Sequence, residues 1–127
     1  MRDIIFRGKD FIGNWHFGLL AHIGNAWCIS NKAGIATAFE VIPETVGQYT
    51  GLTDKNGRKI FEVDLCLCDR NISKHIDKKV FEIKFNPGTG FFGESNTPNI
   101  YTSGFYMCEI IGNIFDTPEL LKAGEMP

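Results

Sequence analysis

Few residues of this 127-residue chain have both the type and the spacing to do chemistry. Cys66-Leu67-Cys68 sets two thiols on one face of a strand, about 7 Å apart along it. A tetrahedral zinc site needs two more nitrogen or sulfur ligands, and His22, His75 or Cys108 could supply them only through the tertiary fold. Strand cysteines commonly serve as small buried apolar residues. The four cysteines (28, 66, 68 and 108) therefore read as free thiols without metal. Glu62 and Asp64 share a strand face in the same way, near Glu40, Glu44 or Asp54 in some foldings. Paired carboxylates can move protons, but the solvent face of a sheet explains this pair more simply. His16, His22 and His75 have no Ser or Cys at a recognisable spacing, and the chain holds no Gly-x-Ser-x-Gly elbow. No catalytic residue is assigned, and the chain reads as a non-enzyme.

Phosphate-binding loops fare no better. Residues 88–93, GTGFFG, match the dinucleotide fingerprint, whose mechanism needs a helix N-terminus directly after it. FFGESNTPN cannot form that helix, so the stretch reads as a hairpin turn. Asp54-Lys55-Asn56-Gly57 opens like a calcium loop, but Arg58 and Lys59 follow where further oxygens are required. No cofactor is expected. The one candidate phosphate patch is the polar segment carrying Arg70, Lys74, Lys78 and Lys79, with His75 among them. Phe91, Phe92, Tyr101 and Tyr106 could add base stacking. Asp69 and Asp77 dilute that patch, and 13 basic against 15 acidic residues create no global positive field. Nucleic acid is the alternative partner, not the favoured one, and DRNISKHIDKK reads as a solvated loop.

The elements that must carry these residues are strands. Eleven Phe and 14 Gly in a chain with 13% aromatics favour strands and tight turns over helices. Trp15, Phe17, Leu19, Ala21 and Ile23 alternate with His16, Gly18, Leu20 and His22, which predicts a long strand entered from the turn FIGN and partnered by DIIFRG. AWCIS and IATAFEVI read as further strands around the turn NKAG. PETVGQYTG reads as an irregular or helical turn after Pro43. TDKNGRK reads as a hairpin, with Asp54 opening a type I turn and Gly57 left-handed at its close. One strand then carries Phe61, Val63, Leu65 and Leu67 on one face and Glu62, Asp64, Cys66 and Cys68 on the other. VFEIKF, FFGES and IYTSGFYMCEIIGNIF supply the remaining strands, with Gly104 and Gly112 as bulge sites. Only TPELLKAG reads as helix, with Thr117 as N-cap and Pro118 at its first position.

The size is that of one domain, 1–127, with a subdomain division into 1–50 and 51–127. MRDIIFRGKD is too charged for a secretory leader, so the expectation is a cytoplasmic protein. Residues 11–31 lack Asp, Glu, Lys and Arg, yet His16, His22, three Asn and three Gly make a membrane span costly.

Three blocks, MRDIIFRGK, VIPETVGQYTGLTDKNGRKIFEVDL and EIIGNIFDTPELL, occur in order from end to end and resemble the signature blocks of the YopX family. The resemblance implies a small, mostly β protein of phage, prophage or mobile-element origin in a bacterial cytoplasm. It also implies a small SH3-like barrel in the second half, beside the N-terminal β subdomain and one short C-terminal helix read above. It brings no catalytic residues. Where the family usually has Glu-Gly-Asp-Ile-Val, this chain has Glu62-Val63-Asp64-Leu65-Cys66. That departure implies a backbone at Val63 with no need of a left-handed residue. A non-enzymatic module that binds a protein partner or its own copies is the reading that charge and aromatic content favour.

Overall fold

A strand pair opens the molecule. β1 (Phe6–Lys9) runs antiparallel to β2 (Trp15–Ile23), with Phe6 opposite Gly18 and Lys9 opposite Trp15. The connecting turn is tied by the Asp10 carboxylate, whose Oδ1 accepts the N–H groups of Ile12 (3.0 Å) and Asn14 (2.9 Å). Such carboxylate-to-backbone bonds let a short polar side chain stand in for a turn of main chain. β2 turns through Gly24 into β3 (Ala26–Ser30), which pairs on its far side with the two-residue β4 (Phe39–Glu40). The computed structural model describes residues 4–30, 38–72, 75–94 and 100–122. Its description excludes the side chains of 69–72, 75–78, 103 and 122. The expected turn NKAG and the start of IATAFEVI lie outside the described residues.

Pro43 ends the extended run as expected, in a single 3-10 turn, Pro43–Thr45. The segment is pinned to β1: Ile42 N–H donates to the Lys9 carbonyl (2.8 Å), and the Thr45 hydroxyl accepts Lys9 N–H (2.8 Å). The irregular or helical turn read over residues 43–51 holds only at its start; from Gly47 the chain forms β5 (Gly47–Thr53), which pairs with β1. Gly47 and Gly51 suggested a break, but the strand accommodates them, Gly51 at a φ of 89°. Within residues 1–51, one of two units into which the chain divides, the strand order is β4-β3-β2-β1-β5.

The second unit, residues 52–127, begins at the hairpin between β5 and β6 (Lys59–Phe61). This turn matches its sequence reading. Asp54 Oδ1 accepts from Asn56 and Arg58 N–H, both at 2.9 Å, and Gly57 sits at a φ of 81°. A second, unexpected turn follows at Glu62 and Val63. β7 (Asp64–Ile72), β8 (His75–Asn86), β9 (Gly90–Glu94) and β10 (Ile100–Tyr101) then fold as successive antiparallel neighbours. A 3-10 turn (Thr102–Met107) leads to β11 (Cys108–Asn113), which returns to pair with β7. The sheet order is β10-β9-β8-β7-β11. It is open: β10 and β11 end it, joined through the 3-10 turn rather than by a ladder. The SH3-like barrel implied by the resemblance is therefore not closed among the described strands. A single turn of helix, α1 (Glu119–Lys122), follows. The Thr117 hydroxyl does not cap it; it bonds the backbone N–H and carbonyl of Asn113, both at 3.1 Å.

The core of this unit is one cluster: Ile60, Cys66, Cys68, Phe81, Ile83, Ile100, Phe105, Cys108 and Ile110. Cys66 and Cys68 point into it, both 0% exposed, so the strand face assigned to solvent is the core face. Val63 causes the error. It stands at a φ of 67°, a genuine outlier for a β-branched residue. It is held there by its N–H on the Ile83 carbonyl (2.8 Å) and by Ile114 N–H on its own carbonyl (3.1 Å). The turn breaks the expected strand, and strand alternation starts afresh at Asp64. Losing the family's glycine has not removed the left-handed backbone; Val63 adopts it regardless.

Candidate interaction surface

Among the described residues neither proposed pair, Cys66 with Cys68 or Glu62 with Asp64, forms a chemical site. Asp64 is buried and accepts Phe61 N–H at 2.8 Å, while Glu62 lies in the turn before it. The two carboxylates are thus separated by the Val63 kink. The cysteines are not all thiols: Cys68 and Cys108, directly opposite in register with Cα atoms 4.2 Å apart, form a disulfide. Cys28 and Cys66 stay as buried thiols. The expectation of four free thiols is corrected here, because pairing depended on a register that only the fold sets. Among the described residues no group of three His, Cys, Asp or Glu side chains could hold a metal ion. Residues 88–93 form the β8–β9 turn and the first part of β9.

His16 is a packing histidine with a partner. Its Nε2 lies 2.8 Å from Asp10 Oδ2, and its ring stacks on Phe39 at 4.1 Å. The His16 hydrogen bond, with the Asn14 and Ile12 N–H groups, holds the Asp10 carboxyl below its ordinary value. His22 stacks on Trp27 at the surface. The carboxylates that do meet were not anticipated. Glu82 stands opposite Glu94 across β8 and β9, and Lys84 Nζ donates to Glu94 at 2.6 Å. Burial, added to the neighbouring Glu94 charge and opposed by Lys84, raises the Glu82 carboxyl. The hydrogen bond to Glu94 raises the Lys84 ammonium. Only a knowledge of strand pairing could have found this trio.

The basic segment is not a loop. Asp69 to Ile72 pair with His75 to Lys78 and, among the described residues, with no third strand, so β7 and β8 extend as a two-stranded arm. Lys74 lies outside the described residues. In backbone register Arg70 stands opposite Asp77 and Lys78 opposite Asp69, so each described basic position of the arm is paired with an acidic one. The aromatics proposed to stack with them divide. Phe91 meets Phe85 edge-on at 5.0 Å, whereas Phe92 pairs in register with Lys84 and Tyr101.

The β11 edge is restricted too. The outer edge of β11 is occupied by the 54–58 turn. Lys55 N–H donates to the Cys108 carbonyl (2.9 Å), Ile110 N–H donates to Asp54 Oδ2 (3.0 Å), and Arg58 Nη1 donates to the Ile110 carbonyl (3.2 Å). Burial alone would raise the Asp54 carboxyl, but the N–H groups of Ile110, Arg58 and Asn56 outweigh it and hold the group low. An unpaired edge is the usual template for strand addition, and this one is closed.

What stays open is a sheet face. On β2, Phe17, Leu19 and Ile23, which share one face by alternation, are 48%, 47% and 57% exposed. They span about 20 Å at the rise of a strand. Trp15 heads the row beneath the Arg7 guanidinium, 4.8 Å from its ring. The turn before β2 adds Phe11 and Ile12, also exposed. On the opposite face, Leu20, Trp27, Pro43 and Val46 line an open apolar cleft of about 330 Å³. Contiguous exposed apolar surface of this kind marks sites of association.

Fold and surface define a small, open, two-sheet antiparallel β protein whose N-terminal sheet presents an apolar face. The family model described as YopX protein matches residues 20–122, and the chain belongs to the YopX family. The crystal structure of protein EF1440 from Enterococcus faecalis is similar in fold, with a TM-score of 0.56 and 24% identity over 95% of this chain and 99% of that one. The search of curated proteins found no match. Among the described residues no helix is long and apolar enough to cross a membrane.

Proposed function

We propose that this chain is a non-enzymatic interaction module that joins its own copies or binds a protein partner through the apolar face of β2. The observation that carries this reading is the row Phe17, Leu19 and Ile23, exposed on a central rather than an edge strand. Covering such side chains gains roughly 25 cal/mol for each Å² of apolar area removed from water. The family context supports a phage- or prophage-derived protein acting in a bacterial cytoplasm. The test is light scattering after size-exclusion chromatography, with a pull-down from a bacterial lysate with and without nuclease, for the parent and a Phe17→Thr, Leu19→Thr, Ile23→Thr variant. The parent should form dimers or retain a nuclease-resistant protein, and the variant should remain folded and lose both. A parent that is monomeric at high concentration and retains nothing the variant loses would end this reading.

The β7–β8 arm favours a second reading, because two-stranded ribbons can enter nucleic-acid grooves. Its mixed charge register supports only weak binding. Sub-micromolar binding to DNA or RNA at ~150 mM salt, weakening steeply with added salt and lost when Lys74, Lys78 and Lys79 become Glu, would place this reading first.

A further inference from the structure

We propose that the Cys68–Cys108 disulfide is a reversible redox clamp at the root of the β7–β8 arm, exchanged with a small thiol or disulfide of the glutathione class. The position of the bond carries the inference. Cys108 opposite Cys68 is the first rung of β11 on β7. Among the described residues the next residue of β7, Asp69, pairs only with Lys78, and from there to Ile72 the arm has two strands. The bond therefore sits where three strands become two. A two-stranded ribbon alone is marginal in water, so what fixes its root decides how much of it is ordered.

The same position makes the bond reachable. β11 is an edge strand, and Cys108 follows directly on the 3-10 turn Thr102–Met107. Both half-cystines are at most 1% exposed, so exchange waits on an opening of the structure. Parting the first rung of an edge strand and the Lys55 bond to the Cys108 carbonyl is a local event, whereas a bond in mid-sheet would require global unfolding. The partner choice is set by register: Cys66 faces the same core but stands opposite Ile110.

Oxidation proceeds in two exchanges. One protein thiolate attacks the small disulfide and displaces a thiolate, leaving a mixed disulfide. The second protein thiolate then attacks the protein sulfur of that bond and releases the other small thiol. Two protein thiols and one small disulfide thus give one protein disulfide and two small thiols, and reduction is the reverse. A bond of this kind suits a compartment in which thiols are usually held reduced, where protein disulfides are mostly transient.

The experiment equilibrates the full chain in glutathione buffers of graded ratio, counts alkylated cysteines by mass, and follows amide hydrogen exchange. The oxidised chain should alkylate at Cys28 and Cys66 only, and the reduced chain at all four. Amides of 69–72 and 75–78 should exchange about tenfold faster on reduction, as expected for a locally opened segment, while those of β2 and β3 do not change. Cys66→Ser should keep the difference, and Cys68→Ser with Cys108→Ser should behave as the reduced form at every ratio. The reduced parent supplies the same comparison if that double variant fails to fold. Equal arm protection in both states, four alkylated cysteines at all ratios, or disulfide reduction only at the rate of global unfolding would each overturn the proposal.

Discussion

The two units of this chain treat their large apolar side chains in opposite ways. In residues 1–51, the buried apolar set is Cys28, Ile29 and Val41, while Ile4, Phe11, Ile12, Phe17, Leu19, Ile23, Trp27 and Phe39 are exposed among the described residues. In residues 52–127 the balance reverses, with Phe81, Phe105, Leu65 and Ile83 almost inaccessible to water and a disulfide inside the cluster. The second unit buries most of its large apolar side chains in one cluster. The first has a sheet whose apolar content exceeds what its core uses. That surplus is what makes the N-terminal sheet, and not the charged arm, the better place to look for a partner.

The sharpest way to break this contrast is to remove one phenylalanine from each unit. Phe81→Ala should cost about 4 kcal/mol in urea unfolding, the range for a fully buried aromatic. Phe17→Thr should cost well under about 1 kcal/mol, as surface changes do. Equal losses would mean that Phe17 packs in a core and that the exposed face is not a surface.

A smaller effect tests how the second unit closes its edge. Asp54→Ala removes a carboxylate that accepts three backbone N–H groups and leaves Ile110 N–H without its acceptor, which should cost about 2 kcal/mol. The Asp54 carboxyl is held below its unfolded value, so its stabilisation is present above about pH 4 and is lost as pH falls through the lower folded value. The stability gap between parent and variant should therefore narrow in acid. A gap independent of pH would show that the ionised carboxylate is not the acceptor that matters.

The smallest effect has the opposite sign. Val63→Gly should raise stability by about 1 kcal/mol, because relief of left-handed strain exceeds the added backbone freedom of glycine. A destabilised variant would mean that the Val63 side chain is worth more than its φ costs.

What could be read from the sequence follows the same physical lines. The hairpin at Asp54 and Gly57, the pairing of β1 with β2, and the scarcity of helix were legible because each is local: a turn residue, an alternation, a cap. The arm was missed because Asp69 to Lys79 lack the apolar alternation that marks a half-buried strand, and a strand paired only on its edges needs none. On β2 the alternation was legible but not which face lies open: His16 packs on Phe39, whereas Phe17 is 48% exposed. On β7 Leu65 is buried, but so are Asp64, Cys66 and Cys68 on the face assigned to solvent, beyond the left-handed turn at Val63. The disulfide and the Glu82–Glu94–Lys84 trio depend on cross-strand register, which no spacing within a single strand contains. The apolar residues of the candidate surface were all visible in the sequence, but their exposure was not.

The 54–58 turn, described above as hydrogen bonds on the rim of β11, also limits growth. A molecule with a bare strand edge can add copies end on end without limit, and the product is a fibre. Here the rim is occupied by the chain's own Asp54, Lys55 and Arg58. Copies that meet through the face of β2 meet the same surface on each other, a two-fold contact that is used up once made. Under the proposed reading, assembly by that route would stop at a pair, and the turn leaves no rim on β11 for further strands.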